Sequence, residues 1–393
     1  MALAQLLTRY PPAPGGVERH VEEISRRLAA RGRPVTVYTS QLYREFPWQP
    51  LSRDFVEPPT PPGLTVQRIP AWSLPGELHY PFFRGLYRRL ESDHPELMHV
   101  HTYGTNHAAV ARQYHRRTGV PYILTAHYHP IWSIHGGRLR HAIRGFYDHR
   151  LAAPIVGEAA RLIVQTHEEE RLIRANGFPL PPVEVIPPGY SPAAPPADDP
   201  YAFRRAFKID GPFVLFVGRL ASNKGLPALV QAFADLHRHD PTATLVLVGA
   251  DGGEHAAVDR RVRELGLSDR VRVTGFLADE SLLAAGFREA RLFALPSQYE
   301  AFGLVLLEAL AQGTPVIASR VGGIPEFIED GKAGRLIPPE DAGALALAFR
   351  ELWDDEATRR RWGAYGRDTV VPRYQWDRVV DRLEVVYRQA LDR

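Results

Sequence analysis

Short apolar runs rich in β-branched residues alternate with helical patterns along this chain, and the alternation occurs twice. The first series reads "LAQLLTRY", "RPVTVYTS", "LTVQRIP", "LMHVH", "YILTAH", "RLIVQT" and "VEVIP". Between its first two runs lie "PPAPGG" and a helical pattern from about Val17 to Arg31. The second series reads "FVLFVGRL", "TLVLVGA", "VRVTGF", "RLFALP" and "PVIAS". It is separated by patterns beginning at Leu226, near Glu254–Leu265 and near Leu282–Phe287. Strands alternating with helices require parallel βαβ units, so each series predicts an α/β, doubly wound, Rossmann-like domain. Between them, residues 181–200 hold eight prolines, too many for a helix or a central strand. The chain of 393 residues therefore divides into an N-terminal domain over 1–190 and a C-terminal domain over 191–371, followed by a final helix over about 372–393. That last segment spaces Trp376, Val379, Val380, Leu383, Val386 and Tyr387 at amphipathic intervals.

Composition narrows the function. No cysteine is present, which excludes disulfides and thiolate metal sites. The N-terminus lacks a signal-peptide pattern, and no apolar run approaches the ~20 residues of a spanning helix. The expectation is a soluble, cytoplasmic protein. Residues 1–190 carry 22 basic against 16 acidic side chains, an excess of +6 within a net charge of +3. Such a half suits phosphorylated ligands or an anionic membrane surface, although a solvated arginine-rich surface fits equally. Only three lysines occur, Lys208, Lys224 and Lys332, so a lysine marks a place where a compact point charge is useful.

Four candidate sites sit where a strand gives way to a loop or helix, the edge at which open α/β sheets bind ligands. Gly15-Gly16 opens the first helix. A glycine pair lets backbone approach an anion there; the plainer reading is a loop that needs positive φ. The three-glycine dinucleotide fingerprint is missing, which argues against a dehydrogenase. In "VGRLASNKG", Arg219 and Lys224 place two cations at a strand end, as a diphosphate requires. In "LTAHYHP", His127 ends a strand beside His129. The histidines show no convincing metal spacing, and no Asp-x-Asp clamp for a metal-bound nucleotide sugar is present.

The fourth site is "SQYEAFGLVLLEAL". Gly303 to Ala311 reads as a buried helix ended by "QGTP", with Glu308 needing a hydrogen-bonding partner inside it. Eight helical residues rise about 12 Å. That separation between Glu300 and Glu308 exceeds the roughly 5–9.5 Å of a glycosidase pair. Two carboxylates so placed, with helix-start amides between them, could grip the two hydroxylated ends of a nucleotide sugar. The alternative pairs Glu308 with a structural arginine and leaves Glu300 on the surface.

These elements, in this order, resemble the retaining glycosyltransferases of family 4, which have the GT-B fold. "YPPAPGGVERHVEEISRRLAARGRPVTVYT" looks like the family's opening, and "FVGRLASNKGLPALVQAF" like its phosphate segment. "PSQYEAFGLVLLEALAQGTPVIASRVGGIPEFIEDGKAGRLIPPED" looks like its signature region. The resemblance implies two Rossmann-like domains facing across a cleft, the final helix returning to the first. It implies transfer of a hexosyl unit from a nucleotide sugar (UDP- or GDP-linked) to a hydroxyl of a glycan, glycolipid or small molecule, forming an α-glycosidic bond with no metal or other cofactor. By position, Arg219 and Lys224 would hold the diphosphate, with Gly16 approaching it from the other domain. Glu308 would bind the ribose, and Glu300 the donor sugar. The amides near Phe302, Gly303 and Leu304 would meet sugar and phosphate. His127 would lie near the donor sugar, and the segment from Gly275 to Leu277 would border the base. Two departures occur: "IPPG" at Ile186–Gly189 for the family's "IPNG", and "GR" at Gly32-Arg33 for its "GH".

Other readings remain open at this point. A sugar-nucleotide epimerase or a phosphorylase could share the fold, but a pyridoxal-type phosphorylase needs a Schiff-base lysine and only three lysines exist. A non-catalytic nucleic-acid- or membrane-binding protein lacks a recognisable motif. Peripheral attachment to the inner face of a membrane is compatible with transfer, because "PFFRGLYRRL" and "RLRHAIRGFYDHR" mix aromatic and basic residues as interfacial helices do.

Overall fold

A computed structural model describes residues 1–45, 48–73, 81–128, 145, 148–191, 195 and 197–392. It divides into two compact units: residues 1–189 with the described residues from Trp376 on, and residues 190–375.

The first unit is built on seven parallel strands. These are β1 (Leu3–Leu6), β2 (Val35–Ser40), β5 (Leu64–Ile69), β8 (Leu97–His101), β9 (Tyr122–Thr125), β10 (Arg161–Val164) and β11 (Val183–Val185), ordered β11-β10-β9-β8-β1-β2-β5. Two small antiparallel pairs interrupt the series: β3 (Leu42–Arg44) with β4 (Gln49–Pro50), and β6 (Ala71–Trp72) with β7 (Phe82–Phe83). Alternation along the strands separates two cores. Ala4, Leu6, Met98, Val100 and Leu124 pack on one face. On the other, Leu3, Leu97 and Ile123 pack against Val21, Ile24 and Leu28 of the helix Gly16–Ala30 and against Trp376, Val380, Leu383 and Tyr387 of the helix Trp376–Leu391. Arg31 reinforces the contact between these helices, donating to Asp381 at 2.6 Å and Glu384 at 3.1 Å. The segment Val371–Tyr374, "VPRY", holds Pro372 in a 3-10 turn, and the final helix starts at Trp376, four residues later than the sequence suggested.

The second unit holds β12 (Phe213–Val217), β13 (Thr244–Val248), β14 (Val271–Gly275), β15 (Leu292–Leu295), β16 (Val316–Ser319) and β17 (Gly334–Ile337), ordered β14-β13-β12-β15-β16-β17, all parallel. Phe213, Leu215, Leu247, Phe293 and Ile317 are buried in its single core. Sequence periodicity overlooked β17: "GRLI" is short, lies at the sheet edge and carries an arginine. It also ended before the helices Ala342–Asp354 and Glu356–Tyr365.

Candidate active site

Both sheets reverse their direction of strand addition once, between β1 and β8 in the first unit and between β12 and β15 in the second. Crossovers leave such a point on opposite sides and open a crevice at the strands' carboxyl ends. The predicted site residues fall largely at these two points.

In the second unit the loops after β12 and β15 are stitched together. Gln298 donates its backbone N–H to the Asn223 carbonyl at 2.9 Å. Gly225 adopts φ +66°, and a side chain there would overlap the Pro296 carbonyl. This close approach sets Lys224 beside Glu300, with Nζ 2.5 Å from Oε1. The buried Ser297 hydroxyl donates to the same oxygen at 2.8 Å. Gly322, at φ +52°, leaves room for the Glu300 backbone. Glu300 is thus neither a surface carboxylate nor an isolated one. Arg219 is exposed, and no carboxylate lies within ion-pairing distance of it among the described residues. It remains available to an anion.

Gly303 caps the helix Leu304–Ala311 in the left-handed conformation, with no side chain bonded to its first amides. Leu306 N–H donates to the Gly303 carbonyl at 2.9 Å, and the N–H groups of Leu304 and Val305 have no acceptor within the helix. The Phe302 side chain itself is core, stacked on Phe327 at 4.7 Å, so only its backbone can serve a ligand. The helix is less buried than its composition implied. Leu306, Leu307, Ala309 and Leu310 are buried, whereas Leu304, Val305, Glu308 and Ala311 are half-buried. Residues 304, 308 and 311 share one stripe at i, i+4, i+7, so Glu308 sits on the accessible side. Gly275 ends β14, three strands from β15, and Leu277 follows it in the loop. Gly275 has φ +74°, and its carbonyl accepts from Gly249 N–H at 2.9 Å.

In the first unit, Gly15 is extended at φ 161°, and Gly16 has no positive φ. The positive-φ reading of the pair therefore fails. A side chain at Gly15 would overlap the Glu18 carboxylate, whereas one at Gly16 would meet nothing within 4 Å. Gly15 thus accommodates Glu18. Gly16 is exposed and borders open space. Glu18 is buried and ion-paired with Arg9 at 2.6 Å; burial nevertheless raises its pKa.

His127 follows β9 at φ +44°, unusual for a residue with a side chain. Its Nε2 lies 3.4 Å from His101 Nδ1, and His101 Nε2 lies 2.8 Å from Gln5 Oε1. His20 joins them from the first helix, so that ring nitrogens of His20, His101 and His127 lie within 4.8 Å of one another. Burial lowers the pKa of His20 to about 4 and that of His101 well below its usual value, which keeps both neutral. Three clustered imidazoles are a donor set that a divalent transition metal accepts. His129 lies outside the described residues. The sequence reading missed His20 and Glu169. Glu169 accepts from the backbone N–H of Tyr128 at 2.6 Å and of Gln165 at 2.5 Å, fixing the chain just after His127. A signal for it existed: Thr166-x-x-Glu169 is a capping-box spacing, and the Thr166 hydroxyl caps the helix His167–Ala175.

Residues 15–189 match the model of the glycosyl transferase 4-like domain, and residues 199–369 match that of glycosyl transferases group 1. The chain belongs to the group 1 glycosyltransferases. It is a hexosyltransferase with the GT-B fold, of the kind that uses a nucleotide sugar. A D-inositol 3-phosphate glycosyltransferase of Acidothermus cellulolyticus is 32% identical over 96% of this chain and 86% of its own. A glycogen synthase of Mycobacterium tuberculosis is 30% identical over 99% and 95%. Among solved structures, the sucrose-phosphate synthase of Thermosynechococcus elongatus superposes with a TM-score of 0.79 at 28% identity, covering 99% of this chain and 98% of that one. Anabaena HepE, solved with UDP and glucose, shares the fold at a TM-score of 0.75 and 20% identity, covering 99% of each chain. Among the described residues, no helix is long and apolar enough to cross a membrane.

Proposed function

We propose that this glycosyltransferase moves a hexosyl unit from a UDP- or GDP-sugar to a hydroxyl acceptor, with retention of anomeric configuration and without a metal. The observation that carries this reading is the Lys224–Glu300 pair at the switch point of the second sheet, with Arg219 in the same loop after β12 and in no ion pair among the described residues. As the glycosidic bond to the diphosphate breaks, negative charge grows on the leaving phosphate. Lys224 and Arg219 are cations already in place to stabilise it, the role a divalent ion plays elsewhere. Glu300 holds Lys224 in position and offers its remaining lone pairs to donor-sugar hydroxyls. Glu308 takes the ribose hydroxyls, and the uncapped amides after Gly303 take sugar and phosphate oxygens. Gly275 and Leu277 border the base. In this reading residues 191–371 form the donor domain. Residues 1–190 supply the acceptor side, with Gly16 approaching the diphosphate and His127 near the transferred sugar. The relatives' names span a phosphorylated polyol, a phosphorylated sugar and a glucan, so the acceptor in this reading is a hydroxyl of a small molecule, glycan or glycolipid.

Thermal unfolding with UDP-, GDP- and ADP-hexoses tests the donor assignment. A donor at a thousandfold its Kd stabilises by about 4 kcal/mol. One UDP- or GDP-sugar should raise the midpoint of the native protein and not of Lys224→Ala. No response to any nucleotide sugar would defeat the assignment.

A further inference from the structure

A second basic site lies in the first unit. Gln67, Arg68 and Ile69 at the carboxyl end of β5, followed by Pro70, form one wall of a cavity of about 600 Å³. Arg84, Gly85, Arg88, Arg89 and Ser92 form the other. The Arg84 N–H bonded to the Pro70 carbonyl at 2.9 Å ties the two walls together. Gly85, Arg88, Arg89 and Ser92 lie three or four residues apart, so the helix Leu86–Asp93 turns one face to the cavity. Among the described residues, four arginines and no acidic residue line it.

Their pairing is uneven. Arg68 is neutralised by Glu57 at 2.5 Å. No carboxylate lies within ion-pairing distance of Arg84, Arg88 or Arg89 among the described residues. Asp93, at the end of the same helix, is occupied by the Tyr38 hydroxyl at 2.7 Å and the Gln67 amide at 2.8 Å. Three uncompensated guanidinium groups around one concavity repel one another, and an anion in the cavity removes that repulsion. Guanidinium forks match the oxygens of a phosphoryl group, and a concave site suits a small phosphorylated molecule better than it suits a flat surface.

We propose that this arginine cavity binds a phosphoryl group, with a phosphate monoester as its ligand class. The site belongs to the first unit alone and does not involve Lys224, Glu300 or Arg219. A failure of the donor assignment would therefore leave it standing, and the reverse also holds.

Isothermal titration of the full chain with inorganic phosphate and with a hexose 6-phosphate tests it, the unphosphorylated hexose serving as control. Both phosphates should bind, weakening as salt rises, and the hexose should not. Arg88→Ala and Arg89→Ala should each weaken binding roughly tenfold, as expected for a charge-assisted hydrogen bond. Arg88→Lys should recover only part of it, because the fork is lost. Arg361→Ala, a surface change in the second unit, should bind as the native protein does. Circular dichroism and thermal midpoint would verify that each variant is folded. Flotation with phosphatidic acid vesicles separates the sources: flotation lost in the same variants assigns the phosphoryl group to a lipid, and its absence assigns it to a soluble ester. Binding undiminished in a folded Arg84→Ala/Arg88→Ala/Arg89→Ala variant, or equal binding of hexose and hexose phosphate, would overturn the proposal.

Discussion

Lys224 Nζ lies 2.5 Å from Glu300 Oε1, although 76 residues separate them in sequence. Strand order explains the meeting. β12 and β15 are neighbours in the sheet, and the loops at their carboxyl ends share a crevice. Each residue arrives by a glycine-enabled close approach, at Gly225 and at Gly322.

Removing either partner should uncouple a unit. Lys224→Ala is expected to lower kcat by about two to three orders of magnitude, the usual effect of deleting one charge-stabilising donor. Glu300→Gln keeps the hydrogen bond from Ser297 but loses the charge that fixes Lys224. The double variant should be little worse than the worse single variant. Steady-state kinetics on all three measure the coupling, and additive losses would show that the two act separately.

Gly15 and Gly16 should separate stability from activity. Gly15→Ala drives a methyl group into the Glu18 carboxylate, which Arg9 holds in place, and should destabilise by about 1–3 kcal/mol. Gly16→Ala meets open space and should leave the urea midpoint close to native while impairing use of the donor.

Glu169 acts as a positioning residue for His127. Glu169→Ala strands two backbone N–H groups and should lower stability by about 2–3 kcal/mol, measured by urea unfolding. Unchanged stability would mean that the loop after β9 holds itself.

The buried histidines make the first unit acid-sensitive. Burial depresses the pKa of His20 to about 4, His99 to about 3 and His107 to about 4. Each is neutral when folded and gains a proton more readily when unfolded. Their contribution is therefore fully present above pH 6.5 and is lost as pH falls from 6.5 towards the folded values. Melting temperature followed from pH 7.5 to 4 should decline below 6.5, and less steeply in His99→Gln. An equal slope in that variant would place the sensitivity elsewhere.

Much of this architecture was legible from period alone. The runs around Leu3, Val35, Leu97, Phe213, Thr244 and Leu292 became strands because a parallel strand buried on both faces has to be continuously apolar. Gly16, His127, Arg219, Lys224 and Glu300 could be singled out because each stands at a strand end or helix start. Pairing was not legible. Nothing local says that β15 lies beside β12, so the direct contact between Lys224 and Glu300 was not anticipated. The strip holding Glu308 was expected to be buried, because composition counts apolar residues without showing which side of the helix is left open. His20 was invisible for a similar reason: only the packed sheet brings a helix residue against the end of β8.

The most direct test of the central claim is release of nucleoside diphosphate from the donor that binds, in the presence of acceptor and excess EDTA, by native protein, Arg219→Ala and Lys224→Ala. Release by the native protein undiminished by the chelator, and at least a hundredfold slower in folded Lys224→Ala, is the expected result. Native-level release by both variants, or release abolished by EDTA and restored by a divalent metal, would contradict it.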